Sequence, residues 1–175
     1  MIKIAKQVIE FYLKNNRVPN IDELIVLDKS LVSRRANLFV TIYKWWIVHG
    51  SAWNIKELEV TALQELIKNT IEAMNDSRFW NLVLSDLSDI QVRVDEIISR
   101  DVLNTNEILK LDPLKKWVLA IKKDREKLAV ILPNISPLLL TWEDFISSLS
   151  KKLDEKFEEK NYDLFAITTK QETSF

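Results

Sequence analysis

The only histidine of this 175-residue chain lies two residues before a serine, in the stretch Val48–Trp53 with the sequence VHGSAW. Residues two apart in a β-strand point to the same face, so a strand here would bring the His49 imidazole and the Ser51 hydroxyl together. Such a histidine can act as the general base that activates a serine nucleophile. No third group that would orient the imidazole is recognisable in the sequence. A small serine beside a strand histidine with one satisfied nitrogen is the commoner arrangement.

Three of the six tryptophans, Trp45, Trp46 and Trp53, lie in or next to this stretch. Aromatic faces beside basic residues stack on bases or sugars, but the basic residues available here are few, namely Lys44, Lys56 and the more distant Arg34-Arg35. An exposed tryptophan is also a typical anchor of a protein interface. Neighbouring residues of a strand face opposite ways, so we expect one of Trp45 and Trp46 in the core and the other at the surface. Core packing or a protein interface is therefore favoured over nucleic-acid binding.

The composition argues against several kinds of site. The absence of cysteine removes disulfides, thiolate metal sites and cysteine nucleophiles, and a single histidine argues against a histidine-based metal site. Phosphate-binding loops of the glycine-rich type need several glycines, and the chain has one. No spacing among the carboxylates is diagnostic of a metal site. We therefore expect neither a metal nor another cofactor.

The charge and hydropathy indicate a soluble globular chain. Apolar residues make up 47% and charged residues 29%, and the net charge of −1 lacks the basic excess typical of nucleic-acid binding. No apolar run reaches the roughly 18 residues that a membrane helix needs, and residues 1–14 do not resemble a signal peptide. We expect a cytoplasmic protein in which residues 1–175 form a single domain. The many lysines and glutamates fit a thermophile.

The first half of the chain predicts two helices and a hairpin. Apolar residues recur at three and four between Ile2 and Leu13, which predicts a helix that ends at Asn15-Asn16. Residues 21–37 are expected to be mostly irregular, with a helical turn after Asp22. Strands are predicted at Leu38–Tyr43 and Trp46–His49, with Lys44-Trp45 as the reversal. A capping box of Asn54 and Glu57 predicts the second helix. Its apolar face is Val60, Leu63, Leu66, Ile67, Ile71 and Met74.

The second half predicts further strands and one helix. The segment Asp76–Trp80 breaks the second helix, and Arg78 within it could bind an anion or, more commonly, pair with Asp76. Alternation over Ile90–Asp95 predicts a strand with one solvated face. A turn is predicted at Asp112-Pro113, followed by a mid-sheet hairpin of Trp117–Lys122 and Lys127–Leu132 and a loop bounded by Pro133 and Pro137. Thr141 and Asp144 cap a predicted helix, and a last strand is predicted at Leu164–Thr169. The apolar face of that helix is Trp142, Phe145, Ile146, Leu149 and Leu153.

This order of helices and antiparallel hairpins predicts an α+β fold, a mostly antiparallel sheet with flanking helices in one compact domain. The first helix and the last strand both need partners, so we expect the termini in one lobe. Any second lobe would come from the middle of the chain.

The order of segments resembles the AMMECR-type domain family, which is common in archaea. The resemblance covers nearly the whole chain. The segments that are similar are the opening helix and loop Ala5–Pro19, the strand Leu38–Thr41, the loop Asp76–Phe79 with Ser77 in place of a usual proline, the strand Ile90–Ile97, and Val130–Pro133 followed by Glu143–Ile146.

The family's signature, leucine-arginine-glycine-cysteine-isoleucine-glycine, is similar to Val48–Trp53 only at its central glycine, Gly50. His49 stands in the place of the arginine, Ser51 in that of the cysteine and Trp53 in that of the closing glycine. A thiolate forms far more readily near neutral pH than an alkoxide, so the serine weighs against nucleophilic chemistry. The resemblance implies the fold and no established reaction.

Three functions follow as hypotheses. The favoured one is a non-catalytic domain that binds a protein of unknown identity as an accessory subunit, since the motif residues are replaced where tryptophans are gathered. The second is a hydrolase or transferase that uses Ser51 and His49 in the family cleft. The third is a single-stranded nucleic-acid binder that uses exposed tryptophans. The candidate binding residues are Trp45, Trp46, His49, Gly50, Ser51, Trp53 and Arg78.

Overall fold

The computed structural model describes residues 1–104, 107, 110–111, 115–131 and 141–174, except for the side chain of residue 142. The helices of this described part are α1 (Ile2–Asn15), α2 (Ser30–Ser33), α3 (Ala62–Met74) and α4 (Trp142–Leu153). Its strands are β1 (Leu38–Lys44), β2 (Ile47–Ala52), β3 (Ile90–Leu103), β4 (Trp117–Lys122), β5 (Leu128–Ile131) and β6 (Tyr162–Thr173). None of the helices in these ranges is long and apolar enough to cross a membrane.

The strands form one sheet in the order β2-β1-β3-β6-β4-β5, and β1 pairs antiparallel with β2 and β3, as β4 does with β5 and β6. The α+β fold with a mostly antiparallel sheet is therefore confirmed. The chain divides into two compact units, one of Met1–Ile97 with Lys170–Phe175 and one of Ile98–Thr169. Both termini belong to the first unit and the middle of the chain forms the second, as the sequence predicts.

In the first unit, one face of β1 packs against α1 and α3. Leu38, Val40 and Ile42 alternate along β1, are fully buried, and share a core with Val8 of α1 and Leu66 of α3. Alternation is what a strand with a helix on one face requires, because successive side chains point to opposite sides. Helix α1 ends where predicted, with Asn16 in the left-handed conformation that asparagine tolerates.

Helix α3 begins later than predicted. Its N-cap is Thr61, whose hydroxyl accepts a hydrogen bond from the backbone N–H of Gln64. The side-chain amide of Asn54 instead donates to Glu65 Oε1 at 3.3 Å, so the predicted Asn54–Glu57 capping box is wrong. Val60, placed on the predicted apolar face, lies before the helix and is exposed.

Strand β3 is longer than predicted, and its supposed solvated face is buried. Arg93 and Asp95 lie at 2% and 0% exposure and form a bidentate ion pair, with Arg93 Nε donating to Asp95 Oδ2 at 2.6 Å. Strand alternation places Arg93 and Asp95 in solvent because it considers only their polarity. It takes no account of the ion pair that two opposite charges on the same face of a strand can form when buried.

In the second unit the β4–β5 hairpin and the Thr141–Asp144 capping box of α4 are confirmed. The mid-sheet position is confirmed for β4, whereas among the described strands β5 is the last of the sheet, so the prediction is wrong for β5 within this part of the chain. Strand β6 contains the predicted strand and extends beyond both of its ends. The predicted turn at Asp112-Pro113 and the loop between Pro133 and Pro137 lie outside the described residues.

Candidate functional site

The reversal between β1 and β2 is made by Trp45 and Trp46, both with positive φ, 52° and 68°. Lys44 pairs with Ile47 in the ladder, so the predicted reversal at Lys44-Trp45 is wrong by one residue. A two-residue hairpin turn with positive φ at both central positions is the geometry that favours Asn-Gly. For other residues the left-handed region costs about 1–2 kcal/mol each.

Both indoles point to solvent, with exposures of 60% for Trp45 and 69% for Trp46. The expectation that one of them is buried is therefore wrong, because turn residues do not follow strand alternation. Trp45 is held in place by its Nε1–H, which donates to Asp89 Oδ2 at 3.1 Å.

A buried lysine fastens the hairpin tip to the loop after α3. Lys44 Nζ donates to Asp86 Oδ1 at 2.7 Å and lies 4.4 Å from the Trp45 ring centroid and 5.8 Å from that of Trp80. Asp86 Oδ2 accepts the backbone N–H of Val83 at 3.1 Å. The hydrogen bond from Lys44 keeps the pKa of Asp86 below its ordinary value, so this carboxylate stays ionised at neutral pH.

The hairpin tip and the loop after α3 each carry exposed apolar side chains, and we call these side chains together the tryptophan patch. Lys44 lies beside both the Trp45 and the Trp80 rings and so joins the hairpin tip to the loop. The members of the tryptophan patch are Trp45, Trp46, Ile47, Trp80, Val83 and Leu84.

His49 occupies a β-bulge. Ile42 is opposite Gly50 and Tyr43 is opposite Val48, so His49 is the extra residue of β2. Its imidazole is 2% exposed and lies against the rings of Phe79, at 5.7 Å between centroids, and Trp80, at 5.3 Å. Within the described residues neither ring nitrogen has a hydrogen-bond partner. The structure therefore does not join the imidazole to the Ser51 hydroxyl, because the bulge interrupts strand alternation between them.

Gly50 and Ser51 lie against the C-terminal end of α3 and against Asp76, two residues beyond the helix. A Cβ on Gly50 would lie 2.0 Å from the backbone carbonyl oxygen of Ala73. The Ser51 backbone N–H donates to Asp76 Oδ2 at 3.3 Å, and the same carboxylate binds Arg78, whose Nε donates to Oδ1 at 2.9 Å. Of the two roles predicted for Arg78, the structure shows the ion pair with Asp76. Residues 48–53, which correspond to the family signature, and the loop 76–79, which is similar to another family segment, meet here.

Trp53 is partly buried and stacks on Phe39, with ring centroids 5.8 Å apart and planes at 20°. It lies on the face of the sheet opposite Leu38 and Val40, separate from the hairpin tip. The structure thus brings Trp45 and Trp46 together at the surface and places Trp53 in a packed position.

Sequence reasoning missed a polar row that crosses three strands beside Ser51. Thr41 is opposite Ser51 in β2 and opposite Arg93 in β3, so the three residues are neighbours across the sheet. Burial raises the pKa of Tyr43, next on this face of β1, while its hydrogen bond with Arg93 opposes the rise. The signal was available in the arginine-x-aspartate spacing of β3, but reading it requires the strand register.

Burial of His49 predicts a dependence of stability on pH. Burial lowers the pKa of the imidazole from its ordinary 6.5, Lys44 lowers it further, and Asp86 and Asp76 oppose the shift. The unfolded chain then binds the proton more readily, so stability is full above about pH 6.5 and falls as the pH drops below it. We expect His49→Leu to reduce the dependence of the urea-unfolding midpoint on pH between pH 6.5 and 5. A pH slope identical to that of the wild type would contradict this assignment.

No group of three or more His, Asp or Glu that could hold a metal ion occurs among residues 1–104, 107, 110–111, 115–131 and 141–174. The family model described as AMMECR1 matches residues 2–170. A crystal structure of an uncharacterized protein from Pyrococcus horikoshii is similar with a TM-score of 0.79 and 16% identity, over 97% of this chain and 87% of that one. At this identity the likeness shows the fold. No curated protein matches the sequence.

Proposed function

Because this chain belongs to the AMMECR1 family, we propose that it uses that fold as a protein-binding domain, with the tryptophan patch as its docking surface. The proposal rests on the conformation of the turn between β1 and β2. Two tryptophans occupy positive-φ positions that asparagine or glycine would fill without strain, and both indoles are exposed. Strain of this kind persists where surrounding structure enforces it, and it clusters at functional surfaces.

The surroundings of the turn also support a docking surface. The Lys44–Asp86 ion pair and the bond from Trp45 to Asp89 fix the tip before any partner arrives. A surface fixed in advance loses less conformational entropy on binding. Tryptophan is enriched among the residues that dominate binding energy at protein interfaces.

The charges favour a protein partner over nucleic acid. Lys44 and Arg78, the cations that contact aromatic rings of this region, are each paired with a carboxylate, Asp86 and Asp76. Nucleic-acid affinity comes largely from cations that neutralise phosphates. Paired cations contribute little to that term.

The test compares the wild type with Trp46→Gly. Glycine adopts positive φ without strain, so we expect the variant to be as stable as the wild type or more so, while partner affinity falls at least about tenfold. Partners captured from the source cell are identified by mass spectrometry, and the purified partner is then titrated against both proteins by calorimetry. Val60→Ala serves as the control, because Val60 is also apolar and exposed and lies outside the tryptophan patch.

Equal affinity of wild type and Trp46→Gly for every captured protein would refute the proposal. Titration with single-stranded oligonucleotides at low salt, followed by tryptophan fluorescence, tests whether the partner is a nucleic acid instead of a protein. A response that Trp46→Gly removes would assign the tryptophan patch to nucleic acid instead.

A further inference from the structure

Beside the tryptophan patch lies an open cavity of about 420 Å³ between the ends of two helices. The last turn of α1 and its C-cap form one wall, the end of α3 a second, and the loop that carries Val83 and Leu84 of the tryptophan patch a third. The residues that line this cavity are Tyr12, Leu13, Asn16, Met74, Asn75, Asn81, Leu82, Val83 and Leu84.

The two helix ends contribute partial negative charge at the cavity. Each helix carries a partial charge of roughly −0.5 at its C-terminus, where the last carbonyl groups have no partner within the helix. Within the described residues, no hydrogen bond reaches the carbonyl oxygens of Leu13 and Met74. Both residues line the cavity. Two such termini at one cavity favour a positively charged guest.

The asparagines add neutral oxygen acceptors. The Asn75 side-chain N–H donates to the carbonyl oxygen of Ile71 at 2.9 Å, which leaves its Oδ1 as an acceptor. Asn16 and Asn81 also line the cavity, and no charged side chain does. A site of neutral oxygens with apolar walls suits a weakly hydrated organic cation better than a small metal ion, which prefers carboxylates.

We propose that this cavity binds the guanidinium group of an arginine side chain presented by the protein partner. This rests on the proposed function, since Val83 and Leu84 belong to both the cavity and the tryptophan patch. The partner segment then combines a basic side chain in the cavity with apolar side chains on the patch. Arginine beside aromatic anchors is the usual composition of such binding centres.

The experiment uses agmatine, which carries a guanidinium and a terminal ammonium group, as the probe. Its matched analogue is 4-aminobutylurea, in which a neutral urea replaces the guanidinium and the ammonium is kept. Binding to the full chain is followed by NMR shifts of the asparagine side-chain amides at low salt. We expect agmatine to shift the signals of Asn16, Asn75 and Asn81 in a saturable manner and 4-aminobutylurea to leave them unchanged. Equal shifts with both compounds, or none with agmatine, would overturn the proposal.

A matched pair of substitutions at Asn81 tests the sign of the potential. Asn81→Asp is expected to tighten agmatine binding about threefold to tenfold, and Asn81→Lys to weaken it at least about tenfold. A merely structural perturbation would weaken binding in both variants, and that result would refute the assignment.

Trp46→Gly separates this inference from the proposed function. The substitution leaves the cavity lining unchanged, so agmatine affinity should match that of the wild type. Agmatine binding without any effect of Trp46 on a protein partner would mean that the proposed function alone has failed. An effect of Trp46 without agmatine binding would mean that the cavity assignment alone has failed.

Discussion

Asp95→Asn is expected to lower the free energy of unfolding by about 3–5 kcal/mol, because it leaves the charge of a buried arginine without its counterion. Arg93 and Asp95 are almost fully buried and share two hydrogen bonds, of 2.6 and 3.0 Å. An asparagine keeps the size of the side chain but removes its charge and one acceptor. Urea-unfolding curves followed by tryptophan fluorescence measure the change.

Two further variants separate the buried charge from a loss of packing. Glu10→Gln breaks the exposed Lys14–Glu10 pair and should cost at most about 0.5 kcal/mol. The double variant Arg93→Met with Asp95→Leu removes both charges and should be more stable than Asp95→Asn alone. A double variant that is less stable than the single one would contradict the electrostatic explanation.

The fold followed from sequence wherever local chemistry decides structure. Helix α1 and the cap of α4 were predicted because helical spacing and the Thr141–Asp144 box are each contained in a few consecutive residues. The predicted start of α3 is wrong because the side-chain amide of Asn54 makes its hydrogen bonds with residues of the helix itself, Glu65 and Asn69. A local capping signal cannot reveal a competing partner that is distant in sequence.

The candidate site followed less well, because its geometry depends on departures from local rules. Turn propensity disfavours tryptophan at positive φ, so the predicted reversal, Lys44-Trp45, differs by one residue from the observed one, Trp45-Trp46. The His49 bulge interrupts the alternation on which the His49–Ser51 pairing relied. Such departures are enforced by tertiary contacts, here the Lys44–Asp86 pair, which links residues 42 positions apart.

Gly50→Ala is the second substitution for which we expect a large effect, a loss of about 3 kcal/mol or more. The added methyl carbon would lie 2.0 Å from the Ala73 carbonyl oxygen and 3.0 Å from Asp76 Cβ. Overpacking usually costs about 1–3 kcal/mol when side chains can adjust. Here the obstacle is backbone at the end of α3, so the strand or the helix must move. Thermal and urea unfolding measure the loss.

The controls show which atom is responsible. Ser51→Ala changes the adjacent position with little alteration of volume and should cost under about 1 kcal/mol. Adding Ala73→Gly to Gly50→Ala should not restore stability, because the obstructing atom is a carbonyl oxygen that every residue carries. Restoration by that second substitution would place the obstruction in the Ala73 side chain and contradict the account.

This result would also explain why the glycine is the one residue that the chain shares with the six-residue family signature. Arginine, cysteine and the closing glycine are replaced by His49, Ser51 and Trp53, whereas the position that approaches the end of α3 keeps its glycine. A packing constraint predicts that pattern, since it acts on the close approach of β2 and α3 whatever chemistry the neighbouring residues perform. A catalytic constraint predicts the opposite, with the nucleophile and its partner retained. If Gly50→Ala unfolds the protein as expected, the glycine of the signature marks the fold, and function is to be sought in the residues around it.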